Sequence, residues 1–223
     1  MIYRNGINYK LYGATYKNAT IKNTRYPMFL DYIESKGNAY INTNLSGTAY
    51  KSFSMNMSFS ISDKNGSNQP TVACFFGNQF YLRGQANSFG IWNSSASTYS
   101  NVIFEYDRKY TAYFRISGTS GARCEVRLKI DNETEVTTSN NTYNINTPVC
   151  LFCWHNGSTA NYFPYMKMYS CQIYADDEKI LRDFRSCLSI ESGHRGEACM
   201  FDLAKNEYYY SSTEYEFKNG KRL

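Results

Sequence analysis

The 223-residue sequence has little of what fibrous, membrane-spanning or exported chains require. Four prolines and fourteen glycines without a strict period exclude a collagen-like chain. No stretch approaches the roughly 18 uninterrupted apolar residues of a membrane helix, so we expect no membrane insertion. The first residues lack the apolar core of a signal peptide, and we therefore expect no ordinary cleavable export signal.

Aromatic side chains are abundant, with 22 Tyr, 14 Phe and 2 Trp. This much apolar ring surface can close a core, which excludes a disordered chain. The length fits one β-sandwich, or one domain with a short arm.

Strict alternation of apolar and polar residues predicts β-strands along most of the chain. Residues 52–62 are the clearest case, because every second residue from Phe53 to Ile61 is apolar and those between are Ser or Asn. Residues 125–131 and 133–138 are typical of a hairpin, and Asn5-Gly6 indicates another near the start. Helix signals are weak. The sequence predicts an all-β, antiparallel sandwich of the jelly-roll type with an N-terminal β arm.

The net charge of +5 is concentrated in the first 30 residues, which contain no acid. We predict a boundary here, with an attachment arm at residues 1–27 and a sandwich domain at residues 28–223. Either a basic arm contacts an acidic partner surface, or a solvated strand edge uses its charges to stay soluble. The basic residues are spaced singly, which does not favour nucleic acid. They are Arg4, Lys10, Lys17, Lys22 and Arg25.

The seven cysteines are predicted to be unpaired small residues buried in strands. Cys150 and Cys153 form a CxxC, but its interior is apolar and no second CxxC follows, which argues against zinc. Period-two alternation predicts Cys150 and Phe152 on one strand face, and Leu151 and Cys153 on the other. Unpaired cysteines fit a reducing cytoplasm.

No catalytic set is evident, and we predict that the protein is not an enzyme. The two histidines, His155 and His194, are expected in loops without a nucleophile motif. Glu105 and Asp107 approach the carboxylate pattern of sandwich glycosidases, but Tyr110 stands where the proton donor is needed.

Cofactors are not predicted. The sequence leaves open a structural calcium site, but no acidic cluster with ligand spacing supports one. The densest acidic group, at residues 176–178, is predicted to be a solvated hairpin turn.

Aromatic residues in polar loops are the remaining candidates for a binding site. A sugar ring stacks its C–H face on Trp or Tyr while amides bind its hydroxyl groups. The alternative for each ring is packing in the core or at its rim. The glycan-binding candidates are Trp92, Asn93, Trp154, Asn156 and Tyr162, with further aromatic candidates at Tyr165 and at residues 208–210.

Several segments together resemble concanavalin A-like/laminin-G-like sandwich domains of phages, prophages and gut bacteria. The opening LDYIESKGNAYINTN is similar to the family's YIESTGTQYIDTG, and FPYMKMYSCQIY is similar to its KMRLYSCKIY. The closing pattern LVRDFIPC … GLYDLVNNKFY is matched in order. Ser186 replaces the usual Pro. The matched segments are residues 30–44, 163–174, 179–187, 198–203 and 206–210, within about residues 28–220.

The resemblance implies a non-enzymatic virion structural protein, such as a fibre, baseplate or capsid-decoration component. The arm would then dock on other virion proteins, and the sandwich would adhere to host-surface glycan. A homo-oligomer is expected, with a trimer favoured by analogy with virion fibres. The matched motifs are architectural: Arg182 would pair with Asp183, while Phe184 and Met200 point inward. The alternatives are a bacterial surface carbohydrate-binding module and a glycoside hydrolase.

Overall fold

The computed structural model describes residues 27–45, 50–63, 69–76, 78–83, 88–93, 96–118, 123–142, 147–176 and 178–223. These residues form nineteen β-strands. In these ranges there is no helix that is long and apolar enough to cross a membrane. The strands are β1 Met28–Phe29, β2 Ile33–Lys36, β3 Ile41–Asn42, β4 Ser52–Asp63, β5 Thr71–Phe75, β6 Asn78–Arg83, β7 Ser88–Asn93, β8 Ala96–Ile103, β9 Tyr110–Ser117, β10 Arg123–Ile130, β11 Val136–Thr142, β12 Cys150–Leu151, β13 Trp154–His155, β14 Ala160–Asn161, β15 Tyr165–Ala175, β16 Lys179–Leu188, β17 Ala198–Asp202, β18 Glu207–Tyr209 and β19 Lys218–Asn219.

Two antiparallel sheets build the domain. The large sheet has the order β11-β10-β9-β4-β15-β16-β17-β18, with β1 joined to β16 and with β2 between β15 and β19. The small sheet has the order β3-β12-β5-β6-β7-β8, and β13 and β14 form a separate two-stranded ribbon. One cluster of buried apolar residues, drawn from both sheets, lies between them. The prediction of an antiparallel sandwich is therefore confirmed.

The alternation in β4 determines which side of the large sheet faces the core. Phe53, Met55, Phe59 and Ile61 are completely buried, whereas Asn56 between them is exposed. Period-two geometry requires this separation of faces. β4 pairs with β9 on one side and with β15 on the other, so its backbone is hydrogen-bonded within the sheet along most of its length.

Aromatic rings fill the space between the sheets. The ring of Phe59 from the large sheet lies 5.7 Å from those of Phe80 and Phe89 in the small sheet, and both pairs are close to perpendicular. Phe75 stacks on Phe114 across the interface at 5.3 Å. Edge-to-face and offset-stacked rings add to the gain from burial, so these contacts fix how the sheets face each other.

The chain near the CxxC departs from the predicted alternation. β12 ends at Leu151, and Phe152 has a left-handed backbone with φ of 68°. This turn places Leu151 and Phe152 together in the main core, while Cys150 and Cys153 join Cys74 in a second buried cluster. The prediction that Cys150 shares a face with Phe152 is wrong, because the period-two rule holds only within a continuous strand.

Arg182 does not pair with its neighbour Asp183, because adjacent residues of a strand point to opposite faces. Its Nε lies 3.6 Å from Oδ2 of Asp202, and both side chains are almost completely buried. The guanidinium group also donates to the carbonyl oxygen of Thr43, which follows β3, at 2.9 and 3.2 Å. Asp183 pairs instead with Arg185. The buried arginine thus connects the large sheet to the edge of the small one.

Other predictions from the closing motifs are confirmed. Phe184 and Met200 are fully buried in the main core. All seven cysteines are buried and form no disulfide, as predicted from the sequence. The predicted hairpin at Asn5-Gly6 and the proposed arm, which includes Arg4, Lys10, Lys17, Lys22 and Arg25, lie outside the described residues.

Replacing Phe59 by Ala tests the importance of the ring cluster. We expect Phe59→Ala to lower the free energy of unfolding by about 3–5 kcal/mol, because it leaves a cavity among Phe80, Phe89 and Tyr110. Urea unfolding measures the change. Asn56→Ala in the same strand is the control, and should change stability by less than about 0.5 kcal/mol. Equal effects of the two substitutions would contradict this role of Phe59.

Candidate functional site

Trp92 lies on the outer face of the small sheet because its neighbour Ile91 points into the core. In the sheet it stands opposite Gln79 of β6 and Ser97 of β8. Its side chain is half-buried. A large ring with an exposed part, held by a rigid strand, is a favourable element of a binding surface.

The β13–β14 ribbon brings two more predicted aromatic residues to Trp92. The ring of Trp154 lies 5.9 Å from that of Trp92 at an interplanar angle of 86°. The ring of Tyr162 lies 5.7 Å from Trp154, tilted by 41°, and is 43% exposed. Trp92, Trp154 and Tyr162 form a continuous surface, here called the aromatic platform. Sequence reasoning selected all three residues without showing that they meet.

The two asparagines predicted to bind sugar hydroxyl groups, Asn93 and Asn156, lie in different parts of the structure. Asn156 uses Oδ1 to accept hydrogen bonds from the backbone N–H groups of Ser158 and Thr159, at 2.9 and 2.8 Å. It therefore closes the tight turn of the ribbon, as Asn commonly does. Asn93 is the last residue of β7, and its side chain lies outside the described part of the structure. Gln79 and Ser97, which flank Trp92 in the sheet, are polar neighbours that the sequence analysis did not select.

His155 holds the ribbon in place. It was predicted to lie in a turn, but it belongs to β13 and is buried. Its Nδ1 accepts a hydrogen bond from the backbone N–H of Gly157 at 3.0 Å, and its ring contacts Tyr40. Burial lowers the pKa of His155 below its ordinary value of 6.5, because the protonated imidazolium is poorly solvated there.

Three buried cysteines pack beneath the ribbon. Cys74, Cys150 and Cys153 are fully buried and pack against Tyr40 and Trp154. Burial raises the pKa of the thiols of Cys74 and Cys153, so they stay protonated and apolar rather than nucleophilic. In the ranges given above, no group of three or more His, Cys, Asp or Glu residues is arranged to hold a metal ion.

Gly90 makes room for two tyrosine rings on the same side of the small sheet as Trp92. A Cβ atom at Gly90 would lie 2.8 Å from Cδ1 of Tyr99 and 3.2 Å from Cζ of Tyr81. The missing side chain lets the Tyr99 ring lie close over β7. The hydroxyl of Tyr81 lies within hydrogen-bonding distance of the hydroxyls of Tyr99 and Ser97, at 3.2 and 3.1 Å. The signal for this feature was a glycine inside a strand pattern, which indicates close approach of a neighbouring group.

The tyrosines of residues 208–210 line a separate depression of about 330 Å³ at the sandwich edge, with Asn42, Asn44, Glu207 and Ser212. The Tyr210 hydroxyl donates to Oε2 of Glu191 at 2.7 Å, and its ring stacks on His194 at 4.1 Å. These contacts hold the loop at residues 189–197 against Tyr210. The hydroxyl and ring of Tyr210 are therefore already in contact with other parts of the protein.

The candidate acid–base residues do not assemble with a nucleophile. Nδ1 of His194 lies 2.6 Å from Oε2 of Glu197. In the described part of the chain, neither histidine side chain is hydrogen-bonded to a Ser, Thr or Cys side chain. Glu105 and Asp107 are exposed in the loop before β9, and the buried Tyr110 accepts the backbone N–H of Glu105 at 2.8 Å.

The sequence matches no protein-family model and no curated protein. Among solved structures, it is similar to a protein of Bacteroides ovatus ATCC 8483 that carries the provisional name of a carbohydrate-binding protein. The TM-score is 0.58 at 9% identity, over 87% of this chain and 61% of that one. The shared fold is an all-β, antiparallel sandwich of the jelly-roll type. At this identity the likeness concerns the fold alone, and this chain spans only 61% of the Bacteroides protein.

Two further structures are less similar. One is a heptameric SAP-like pentraxin from Limulus polyphemus, with a TM-score of 0.47 and 10% identity over 70% of this chain and 77% of that one. The other is scytalido-glutamic peptidase, with a TM-score of 0.41 and 15% identity over 66% of this chain and 84% of that one. These weaker likenesses carry no argument about function.

The lowered pKa of His155 predicts a pH-dependent ribbon. Because the unfolded histidine binds a proton more readily than the folded one, stability should fall as the pH decreases through about 6.5. Protonation of Nδ1 also removes the acceptor for Gly157. Tryptophan fluorescence during urea unfolding at pH 7.5 and 5.5 measures the loss. His155→Asn should reduce this pH dependence, whereas His194→Asn, the control, should retain it.

Proposed function

We propose that this domain is a lectin-like module that binds carbohydrate on its aromatic platform. The convergence of Trp92, Trp154 and Tyr162 on one outer sheet face carries this proposal. Rings of this kind stack on the C–H faces of sugars, and the adjacent, exposed Ser97 supplies a hydroxyl group. The fold shared with the Bacteroides protein, whose provisional name refers to carbohydrate binding, supports the same conclusion.

The ring orientations favour one kind of carbohydrate. Trp92 and Trp154 are perpendicular, at 86°, so they form a corner instead of a flat strip. A flat strip of coplanar rings suits the surface of a crystalline polysaccharide. A corner offers one ring face for stacking and a second ring as a side wall, which suits a single sugar unit of a soluble glycan or a terminal residue.

A binding role is favoured over hydrolysis. The exposed carboxylates Glu105 and Asp107 lie in a loop, and the aromatic platform has no carboxylate pair of the kind that glycosidases need among its described residues. We therefore propose a non-enzymatic protein.

At a finer level, we propose that the domain is displayed on a bacteriophage particle, as part of a fibre, baseplate or capsid decoration. The motifs between residues 30 and 210 that resemble phage domains support this assignment, as does the basic segment before Asp31. Residues 1–27 would attach to other virion proteins, and trimers or other homo-oligomers would present many copies. Multivalent display compensates for weak stacking at each single site. A bacterial surface carbohydrate-binding module is the second candidate, favoured by the same aromatic platform.

Removal of one exposed ring tests carbohydrate binding. We expect Tyr162→Ala to weaken binding to a glycan identified on an array by about fivefold, because one ring contact contributes about 1 kcal/mol. Tyr215→Ala is the matched control, since Tyr215 is similarly exposed, at 49%, and is not one of the three rings of the platform. Equal affinity of both variants would contradict the assignment of the site, and turnover of a β-glucan by the wild type would contradict the binding-only role.

Deletion of residues 1–27 tests the virion role. We expect the shortened protein to stay folded, because the described core begins with β1, and to be lost from purified particles. Circular dichroism and particle composition measure these two results. Incorporation of the shortened protein into particles would contradict attachment through the arm.

A further inference from the structure

Two buried cysteines face each other on neighbouring strands of the large sheet. Cys187 of β16 stands directly opposite Cys199 of β17, and their Sγ atoms are 3.5 Å apart. Directly opposite residues of an antiparallel pair have Cα atoms about 4.5–5.5 Å apart, which is within the range that disulfides span. The two thiols can therefore be joined with little movement of the backbone.

The pair lies on the outer face of the sheet, away from the main core. Met200, the neighbour of Cys199, points into the main core, so Cys199 points outwards. A small apolar cluster, separate from the main core, surrounds the two cysteines. Its aromatic members are Phe29, Phe201, Tyr208 and Tyr210.

The rings that cover the pair belong in part to very short strands. Phe29 is one of the two residues of β1 and stands opposite Cys187. Tyr208 is in the three-residue β18, at the end of the sheet, and stands opposite Phe201. Short strands at the margin of a sheet open locally at a lower free-energy cost than its central strands. A small oxidant can thus reach the thiols without global unfolding.

While this cover is closed, the pair is protected from oxidation. The Cys199 thiol is hydrogen-bonded to Cys187 and is buried, and both effects raise the pKa of Cys199. The thiolate, and not the thiol, attacks disulfides. Oxidation of the pair therefore depends on local opening, and a folded domain in a reducing solution keeps both thiols.

We propose that Cys187 and Cys199 are a modification site, which an external disulfide such as oxidised glutathione converts into a cross-strand disulfide. One cysteine thiolate attacks oxidised glutathione, which forms a mixed disulfide and releases one molecule of glutathione. The second thiol then loses its proton to solvent and attacks the sulfur of the first cysteine, which releases the second glutathione. The protein loses two hydrogen atoms, and oxidised glutathione is reduced to two molecules of glutathione.

The disulfide would join β16 to β17 covalently and close the segment between them into a loop. This segment, residues 189–197, contacts the Tyr210 hydroxyl through Ser189 and Glu191, each at 2.7 Å. A covalent loop restricts the unfolded chain, so the oxidised domain resists unfolding better than the reduced one. The site would act when the domain passes from reducing to oxidising surroundings, and it does not depend on carbohydrate binding.

Oxidation of the purified full chain tests the site. The reduced, folded protein is treated with oxidised glutathione, and the remaining thiols are blocked with N-ethylmaleimide before digestion. Trypsin cuts after Arg185, Arg195 and Lys205, so the two cysteines fall in separate peptides. We expect peptides 186–195 and 196–205 to be linked with the loss of two hydrogen atoms, and a reductant to separate them.

Variants of single cysteines connect the linkage to stability. Cys187→Ala should abolish the linked peptides, whereas Cys124→Ala, the control, should retain them, because Cys124 stands opposite Asn141 in the sheet. The oxidised wild type should melt about 5 °C above the reduced form. The melting temperature of Cys187→Ala should not change on oxidation.

Variants of two tyrosines test the role of the cover. Tyr208→Ala should speed formation of the disulfide by about tenfold, because it removes one of the covering rings and favours local opening. Tyr215→Ala, the control, should leave the rate unchanged, since Tyr215 is exposed and is not a member of the cluster.

Three results would overturn the proposal. They are persistence of both thiols during oxidation of the folded protein, linkage of Cys187 or Cys199 mainly to another cysteine, and equal melting temperatures of the oxidised and reduced wild type. Linked peptides that form only in urea would contradict it as well, because the proposal requires that the folded domain be oxidised.

Discussion

Aromatic packing between two antiparallel sheets is the constraint on which the rest of the structure depends. Phe59 meets Phe80 and Phe89 edge to face across the core, and these contacts commit every second residue of their strands to the inside. The remaining residues must face outwards. The outer faces are thus free to differ: Trp92 lies on that of the small sheet, while amide, charged and tyrosine side chains such as Asn56, Lys129 and Tyr113 lie on that of the large sheet.

Much of the fold was predictable because it follows from local alternation. β4, β9, β10 and β15 lie where period-two patterns occur, and the inward positions of Phe184 and Met200 follow from the closing motifs. Contacts between residues that are far apart in the sequence were harder to predict. The buried partner of Arg182 is Asp202, on the next strand of the sheet, and the break at Phe152 depends on a left-handed residue that carries no sequence signal.

The candidate site could be predicted in part. Trp92, Trp154 and Tyr162 stood out as rings in polar surroundings, but their meeting depends on a ribbon that folds over the small sheet, far along the chain from β7. The same context was misleading for Asn156, whose side chain serves the turn. Gly90 contributes by having no side chain, which leaves room for the Tyr99 ring.

The position of β2 has a mechanical consequence. β2 lies between β15 and β19, and its hydrogen bonds to both are perpendicular to its length. A pull along the chain at Ile33 would load these bonds in shear, so that they share the force instead of opening one after another. Extraction of β2 from the sheet would therefore need more force than opening the same bonds one at a time.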